Sequence, residues 1–361
     1  MSAVSSYTLL DFSDEIVDYQ PDAILIYAGH NEYLGILGVG SVLAGGMARP
    51  VVLAYLQLRK LRTFQLLQRA YASVQGLFAQ EIKKESDRTL MADLAASQHI
   101  PFGSTLYERG IHQFDANLNA LLARYQKLGM PVFVGTLVSN ERDQKPFISL
   151  LAPTTDATLW KQYYRNAAEA LRRGDTARAA EALNAAIRLN STAAETYYVK
   201  AQLLEKSGDH QAARQAYLAA KDRDQLRFRA PEQFNHVIRE AATRHNATLV
   251  DVQDAFVSAS RNGIVGNELM LEHLHPNLKG YFILADTLLS GPKGKTIDRF
   301  LGTYRSNCRG VAGRTRYRNR VSSWALYDKE IKSRLAVSDR SNETQDSRAS
   351  KPRGTACSRT L

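Results

Sequence analysis

Cysteine is scarce in this chain: two in 361 residues, Cys308 and Cys357, both near the C-terminus. They suggest neither a disulfide framework nor a cysteine metal site. Long apolar runs are missing too. No stretch of about 18 uncharged apolar residues occurs, so no membrane span is expected. The nearest approach, ILGVGSVLAGGMA at residues 36–48, is Gly-rich, short, and followed by Arg49 and Pro50. The first residues lack the basic region and apolar stretch of a signal peptide. They read instead like the middle of a domain, MSAVSSYTLLDF.

Charge imbalance is absent from most of the chain as well. The formal net charge is +11. Residues 291–361 hold 17 Lys and Arg against 6 Asp and Glu, and the other 290 residues hold 30 of each sign. The excess is therefore a property of the tail. RGVAGRTRYRNR (309–320) and the last 24 residues are polar and poor in aliphatics, which predicts a basic, mostly disordered tail over 291–361. Such a tail could touch phosphates. No nucleic-acid motif accompanies it, so nucleic acid is not expected as a partner. What remains is ordinary for a globular chain with room for two or three domains: 44% hydrophobic, 23% charged.

The organisation is legible from periodicity. SYTLLDFSDEIVDY (6–19) spaces its apolar residues helically, and DAILIYAG after Pro21 reads as a buried parallel strand. Residues 50–82 form a long amphipathic helical stretch, expected to pack on the domain; a helix lying on a membrane surface is the alternative. Residues 110–128 give another amphipathic helix, ended by Gly129, and MPVFVGTLVSN (130–140) a second buried strand with a polar exit. REAATRHN then leads to a third strand, ATLVDV (247–252). Helix alternating with apolar strand argues for an open parallel sheet.

Between the second and third strands the sequence repeats itself. YYRNAAEALRRGDTARAAEALNAAI from Tyr163 and YYVKAQLLEKSGDHQAARQAYLAAK from Tyr197 match at an offset of 34. The pairs include Ala167/Ala201, Gly174/Gly208, Asp175/Asp209, Ala179/Ala213 and Ala182/Ala216. This period resembles the tetratricopeptide repeat, a pair of antiparallel helices. Two units are fewer than the three usually needed alone, so they are expected to lean on the α/β domain. A protein partner bound through them is one functional reading, and a structural insertion is the other.

Two polar clusters sit at strand ends, where open parallel sheets build their sites. GHNE (29–32) follows the first strand, and EHLHPN (272–277) follows the third. A His at a helix start, with a carboxylate three residues earlier, suits a general base held in one tautomer. A metal held by Glu272, His273 and His275 would need three or four ligands in tetrahedral array. E-x-x-H differs from the helical H-E-x-x-H signature, so no metal is expected.

GHNE and EHLHPN together resemble blocks three and five of the SGNH (GDSL-type) hydrolases. The resemblance covers residues 1–150 and 232–290, and looks closest to a bacterial branch with a tetratricopeptide insertion, here over 157–227. It implies a flavodoxin-like parallel sheet with helices on both faces, and ester hydrolysis on a serine nucleophile without a cofactor. It implies that Asn31 donates to the oxyanion, that His275 is the base, and that Glu272 orients His275 where the family usually has Asp. Gly29, His30, Glu32 and His273 are neighbours; Glu32 ends a block that the family ends in Asp, and His273 could compete for Glu272. The nucleophile is unidentified. The family's Gly-Asp-Ser block and its second, Gly-bearing block are not in the sequence, and Ser5 and Ser6 do not match the nucleophile motif. The chain is therefore expected to be an N-terminally shortened relative, with three strands, an unpaired buried edge, and no activity alone. The substrate class is a small-molecule, carbohydrate or lipid ester, and the compartment is open. Asn31 and His275 are expected to share one rim of the sheet.

Overall fold

The computed structural model describes residues 4–40, 47–78 and 99–290. The tail over 291–361, with both cysteines and the charge excess, lies outside the described residues.

The protein is mixed α/β. Three short strands form a parallel sheet: β1 (Ile24–Ile26), β2 (Val132–Gly135) and β3 (Thr248–Val250), in the order β1-β2-β3. Leu25 pairs with Phe133, and Val134 with Leu249. The central strand is buried at all four positions. On the edge strand β1, Ile24 and Ile26 are buried while Leu25 is 50% exposed, so this run is half-buried and not fully buried as its apolar sequence predicts.

All three strands are shorter than their apolar runs. For β2 the cause is a competing side chain. Asn235 accepts from the Leu137 N–H at 2.7 Å and donates to the Leu137 carbonyl at 3.0 Å. Both backbone groups are thereby taken from the ladder, and the chain turns out of the sheet.

Helix α1 (Ser6–Asp18) precedes β1. The predicted long helix over 50–82 is two helices, α2 (Arg49–Leu58) and α3 (Arg62–Phe78), and its last four residues lie outside the described ones. At the break, Arg59 and Lys60 reach Asp11 of α1, and Lys60 also Asp14, while Gln65 donates to the Arg59 carbonyl at 2.9 Å. Helix α2 packs Val52 and Leu56 against Tyr7 and Leu37. Helix α3 does not pack as predicted: none of its side chains with described exposure is buried.

Helix α4 (Thr105–Lys127) starts five residues earlier than its apolar spacing suggests, because Ser104 caps it by accepting from the Tyr107 N–H. Gly129, at φ +66°, ends it as expected. Helix α9 (Glu232–Arg244) packs beside α4, with Phe234 stacked on Phe114 at 4.3 Å between centroids. These rings join Ile24, Ile26, Val132 and Val134 in the main core. Helices α10 (Val252–Ala259) and α11 (Leu278–Ser290) follow β3 and pack on each other.

Between β2 and α9 lie two helical hairpins, α5 (Ala157–Arg172) with α6 (Thr176–Leu189), and α7 (Ala194–Lys206) with α8 (His210–Arg223). The sequence repeat maps onto them. Gly174 and Gly208 take φ +76° and +86° at the two turns, where a side chain would be strained. Asp175 and Asp209 then cap α6 and α8 by accepting from the Arg178 and Ala212 N–H groups. Ala167, Ala179, Ala201 and Ala213 are fully buried, which lets the paired helices approach closely. The second hairpin does lean on the rest. Arg214 pairs with the buried Glu141 at 3.2 Å, Lys221 with Glu232 at 3.2 Å, and Ile264 closes the cluster around Tyr198 and Tyr217. No helix of the described residues is long and apolar enough to cross a membrane.

Candidate functional site

The two polar clusters meet through the loop that leaves β2. Gly29 lies against it: a Cβ there would sit 2.5 Å from Leu137 Cδ1. The Val138 N–H donates to the Tyr27 hydroxyl at 3.3 Å. Two residues on, the Asn140 N–H donates to the His273 carbonyl at 3.1 Å, and its carboxamide donates to Asn267 Oδ1 at 2.7 Å and the Glu272 carbonyl at 3.3 Å. Asn140 therefore ties the histidine loop to the C-terminal end of β2, next to the end of β1. Asn31 and His275, 244 positions apart in sequence, sit on loops of that one rim.

The histidine loop is tightly closed. The Leu271 N–H donates to the His275 carbonyl at 2.8 Å and the Asn277 N–H to the Leu269 carbonyl at 2.9 Å. Inside it, Glu272 Oε1 accepts from the His275 N–H at 2.6 Å and lies 2.5 Å from His275 Nδ1. Burial alone would raise the Glu272 carboxyl. The hydrogen bonds from His275 and the nearness of both imidazoles outweigh it and hold the group below its ordinary value. An ionised carboxylate only accepts, so Nδ1 of His275 carries the proton that faces it, and Nε2 is the ring nitrogen left for other partners. The His275 side chain is 63% exposed.

His273 turns inward. Its ring packs edge-on to Phe147 and against Phe228, and its Nδ1 meets Glu272 Oε2. Burial pushes its pKa down, and Arg229 and His275 add to this against the pull of Glu272.

His30 is half-buried, with its Nε2 shielded from solvent, and neutral. The Ala230 N–H donates to its Nδ1 at 3.1 Å, which leaves the proton on Nε2, an atom without a hydrogen-bond partner among the described residues. Burial lowers its pKa to about 3, with Lys221 and the neighbouring His273 and His275 contributing against the Val138 backbone, which raises it. Asn31 beside it is partly exposed, and its carboxamide has no hydrogen-bond partner among the described residues.

Glu32 is placed differently from the chemistry of this rim. It is fully buried and accepts from the Ser6 N–H (2.9 Å), the Ser6 hydroxyl (2.6 Å) and the Gln113 amide (2.6 Å). It therefore binds the first N–H of α1, a group the helix itself cannot satisfy, while the Ser5 hydroxyl at the N-cap donates to the Ile36 carbonyl instead of capping. Both N-terminal serines are committed to this joint.

No family model matches the chain, and no curated protein or solved structure matches it either. The geometry alone bears on what the rim can do. Among the described residues no group of three or more His, Cys, Asp or Glu side chains is arranged to hold a metal ion. Among the described residues the rim offers an imidazole with an unpartnered Nε2 and a carboxylate behind it, an unpartnered carboxamide, and a half-buried neutral imidazole.

Two contributors were not read from the sequence. Asn140 was visible only as part of a polar strand exit. Lys221 belongs to α8 of the second hairpin, yet its charge bears on His30. A signal for it was present: its counterpart one repeat earlier is the apolar Ile187.

Proposed function

We propose that this rim is the base-and-oxyanion half of an SGNH-type ester hydrolase site, on a sheet of the flavodoxin-like kind. The observation that carries the reading is the 2.5 Å contact between Glu272 Oε1 and His275 Nδ1 on the rim that bears Asn31. Nε2 of His275 takes the proton of an attacking serine hydroxyl and returns it to the leaving alcohol. Glu272 fixes the tautomer and stabilises the imidazolium as it forms. The Asn31 carboxamide donates to the oxyanion of the tetrahedral intermediate. The substrate is an ester of a small molecule, carbohydrate or lipid, and the chemistry needs no cofactor. The serine block is not in the 361-residue sequence, so it belongs to a segment that must be supplied.

The test is hydrolysis of a short-chain aryl ester. The chain alone is expected to turn over negligibly, because a lost nucleophile costs about 10⁶ in a well-studied serine protease. A longer protein carrying a Gly-Asp-Ser block and the second oxyanion glycine should hydrolyse the ester. There His275→Ala should abolish turnover, and Asn31→Ala should lower it by about 10² to 10³. Robust turnover by the 361-residue chain that survives His275→Ala would refute the assignment.

A second reading is favoured by one observation. The hairpins, read as tetratricopeptide-like units, carry an open groove of about 550 Å³ lined by Tyr197, Lys200, Leu204, Gln215, Ala216 and Ala219. Leu204 and Ala216 are the counterparts of Ala170 and Ala182, which pack with Val199 and Leu203 of α7 in the first hairpin. On this reading the chain is a non-catalytic scaffold that takes a partner's helix in that groove. Serine-dependent turnover in the longer protein decides between the two.

A further inference from the structure

Exposed large apolar side chains concentrate over α2, α3 and the residues next to them: Met47, Val51, Leu58, Leu61, Leu66 and Leu67 are each between 42% and 69% exposed. On α3 the pattern is one-sided. At 100° per residue, Phe64, Leu66, Leu67, Ala70 and Tyr71 span an arc of roughly 160°, interrupted only by Thr63. Gln65, Gln68, Arg62, Arg69 and Ser73 fill the other side. An amphipathic helix on a globular protein normally buries such an arc. Here none of the α3 side chains with described exposure is buried. The helix is held at its start instead, by Phe64 edge-on to Tyr55 and by the Arg59 and Lys60 pairs to α1.

The charge of the stretch says what covers the arc. From Met47 to Phe78 there is no Asp or Glu, and five residues are basic. Arg49 is bonded to Asn117, and Arg59 and Lys60 are paired to α1. Arg62 and Arg69 are exposed and unpaired among the described residues, and they flank the Leu66 edge of the arc. A second copy of the same helix would bring these arginines together with no carboxylate of the stretch to meet them. An anionic lipid surface meets both features: acyl chains take the leucines, and headgroups take arginines whose stems lie along the boundary.

We propose that α3 lies flat on an anionic membrane surface, with Leu66 and Leu67 at the acyl boundary and Arg62 and Arg69 among the headgroups. The helix has 17 residues and binds along the interface without crossing it. The inference stands apart from the ester-hydrolase reading and survives if that reading fails.

The test uses the full chain with phosphatidylcholine vesicles, alone or with about one-third phosphatidylserine, a fraction that gives the negative surface potential of an anionic leaflet. Co-sedimentation should be at least tenfold stronger on the anionic vesicles and should weaken as salt rises. Each arginine near such a surface is worth about fivefold, so Arg62→Gln with Arg69→Gln should cost about 25-fold. Leu66→Glu with Leu67→Glu should abolish binding while leaving the circular dichroism spectrum unchanged, since both side chains are exposed. As a readout independent of those variants, a Leu66→Trp reporter should be quenched by lipids brominated on their acyl chains. Failure of the wild-type chain to sediment would overturn the proposal. So would equal binding to neutral vesicles, or an unquenched reporter. Light scattering that shows a dimer lost in the leucine variant, with no vesicle binding, would assign the arc to a second copy instead.

Discussion

His30→Gln tests whether the rim is as dry as its geometry implies. The His30 ring accepts from the Ala230 N–H and has no partner at Nε2 among the described residues. Its pKa falls from the ordinary 6.5 to about 3, first through burial and then through Lys221, His273 and His275. The native state therefore refuses a proton that the unfolded chain accepts below pH 6.5. The stability that goes with a neutral ring is fully present above pH 6.5 and is lost as pH falls from there toward 3. At 1.36 kcal/mol per unit, moving from pH 7.5 to 5.0 should remove about 2 kcal/mol through this one group. Glutamine keeps an acceptor for the Ala230 N–H and cannot titrate. Urea unfolding of wild type and variant at both pH values, followed by Trp fluorescence and circular dichroism, isolates the difference. The variant should lose about 2 kcal/mol less than wild type over this interval. Equal losses would mean that His30 is solvated or charged in the native state, and the buried-donor description of the rim would fall.

Two further predictions follow from close contacts under the same loop. Gly110→Ala should destabilise the protein by about 1–3 kcal/mol, as overpacking does, although the same change at an exposed helix position is favourable. The added Cβ would lie 2.3 Å from the Tyr33 ring, which cannot yield because Tyr107 and Phe234 stack on it and its hydroxyl donates to the Tyr107 carbonyl; an unchanged thermal midpoint would refute this. Glu32→Gln should cost about 1–3 kcal/mol at pH 7, because an amide donor replaces an acceptor that serves Ser6 and Gln113. Urea titration reads the cost, and a neutral result would mean the carboxyl is already protonated by its burial.

The elements legible in the sequence are those that local chemistry decides. The Gly-Asp pairs at 174–175 and 208–209 specify a left-handed residue and then a cap, and both turns form where the repeat puts them. The order of helix and parallel strand follows from alternating periodicities in the same way. The misses share a different cause. Strand β2 stops early because Asn235, 98 positions away from Leu137, takes both of its backbone groups. The long helix breaks at Arg59 and Lys60, where both side chains reach across to Asp11 and Asp14 of α1. Helix α4 begins early because Ser104 caps it, a local signal that apolar spacing does not weigh.

The site divides along the same line, and Glu272 shows how. Its spacing from His275 is local, so the sequence alone suggested their contact. Two points were open in sequence: a glutamate is one methylene longer than the aspartate usual in the SGNH hydrolases that the motif resembles, and His273 could take the carboxylate for itself. Geometry answers both with one arrangement. The carboxylate has two oxygens, and each serves one ring, Oε1 facing His275 and Oε2 facing His273. His273 is wedged between Phe147 and Phe228, and burial, with Arg229 adding, lowers its pKa against the pull of Glu272, so its ring sits beside the carboxylate as a weaker competitor for the charge. The second imidazole packs beside the same carboxylate, whose other oxygen contacts His275. That placement of His273 depends on two aromatic rings 126 and 45 positions away in sequence, Phe147 and Phe228, which no local motif encodes.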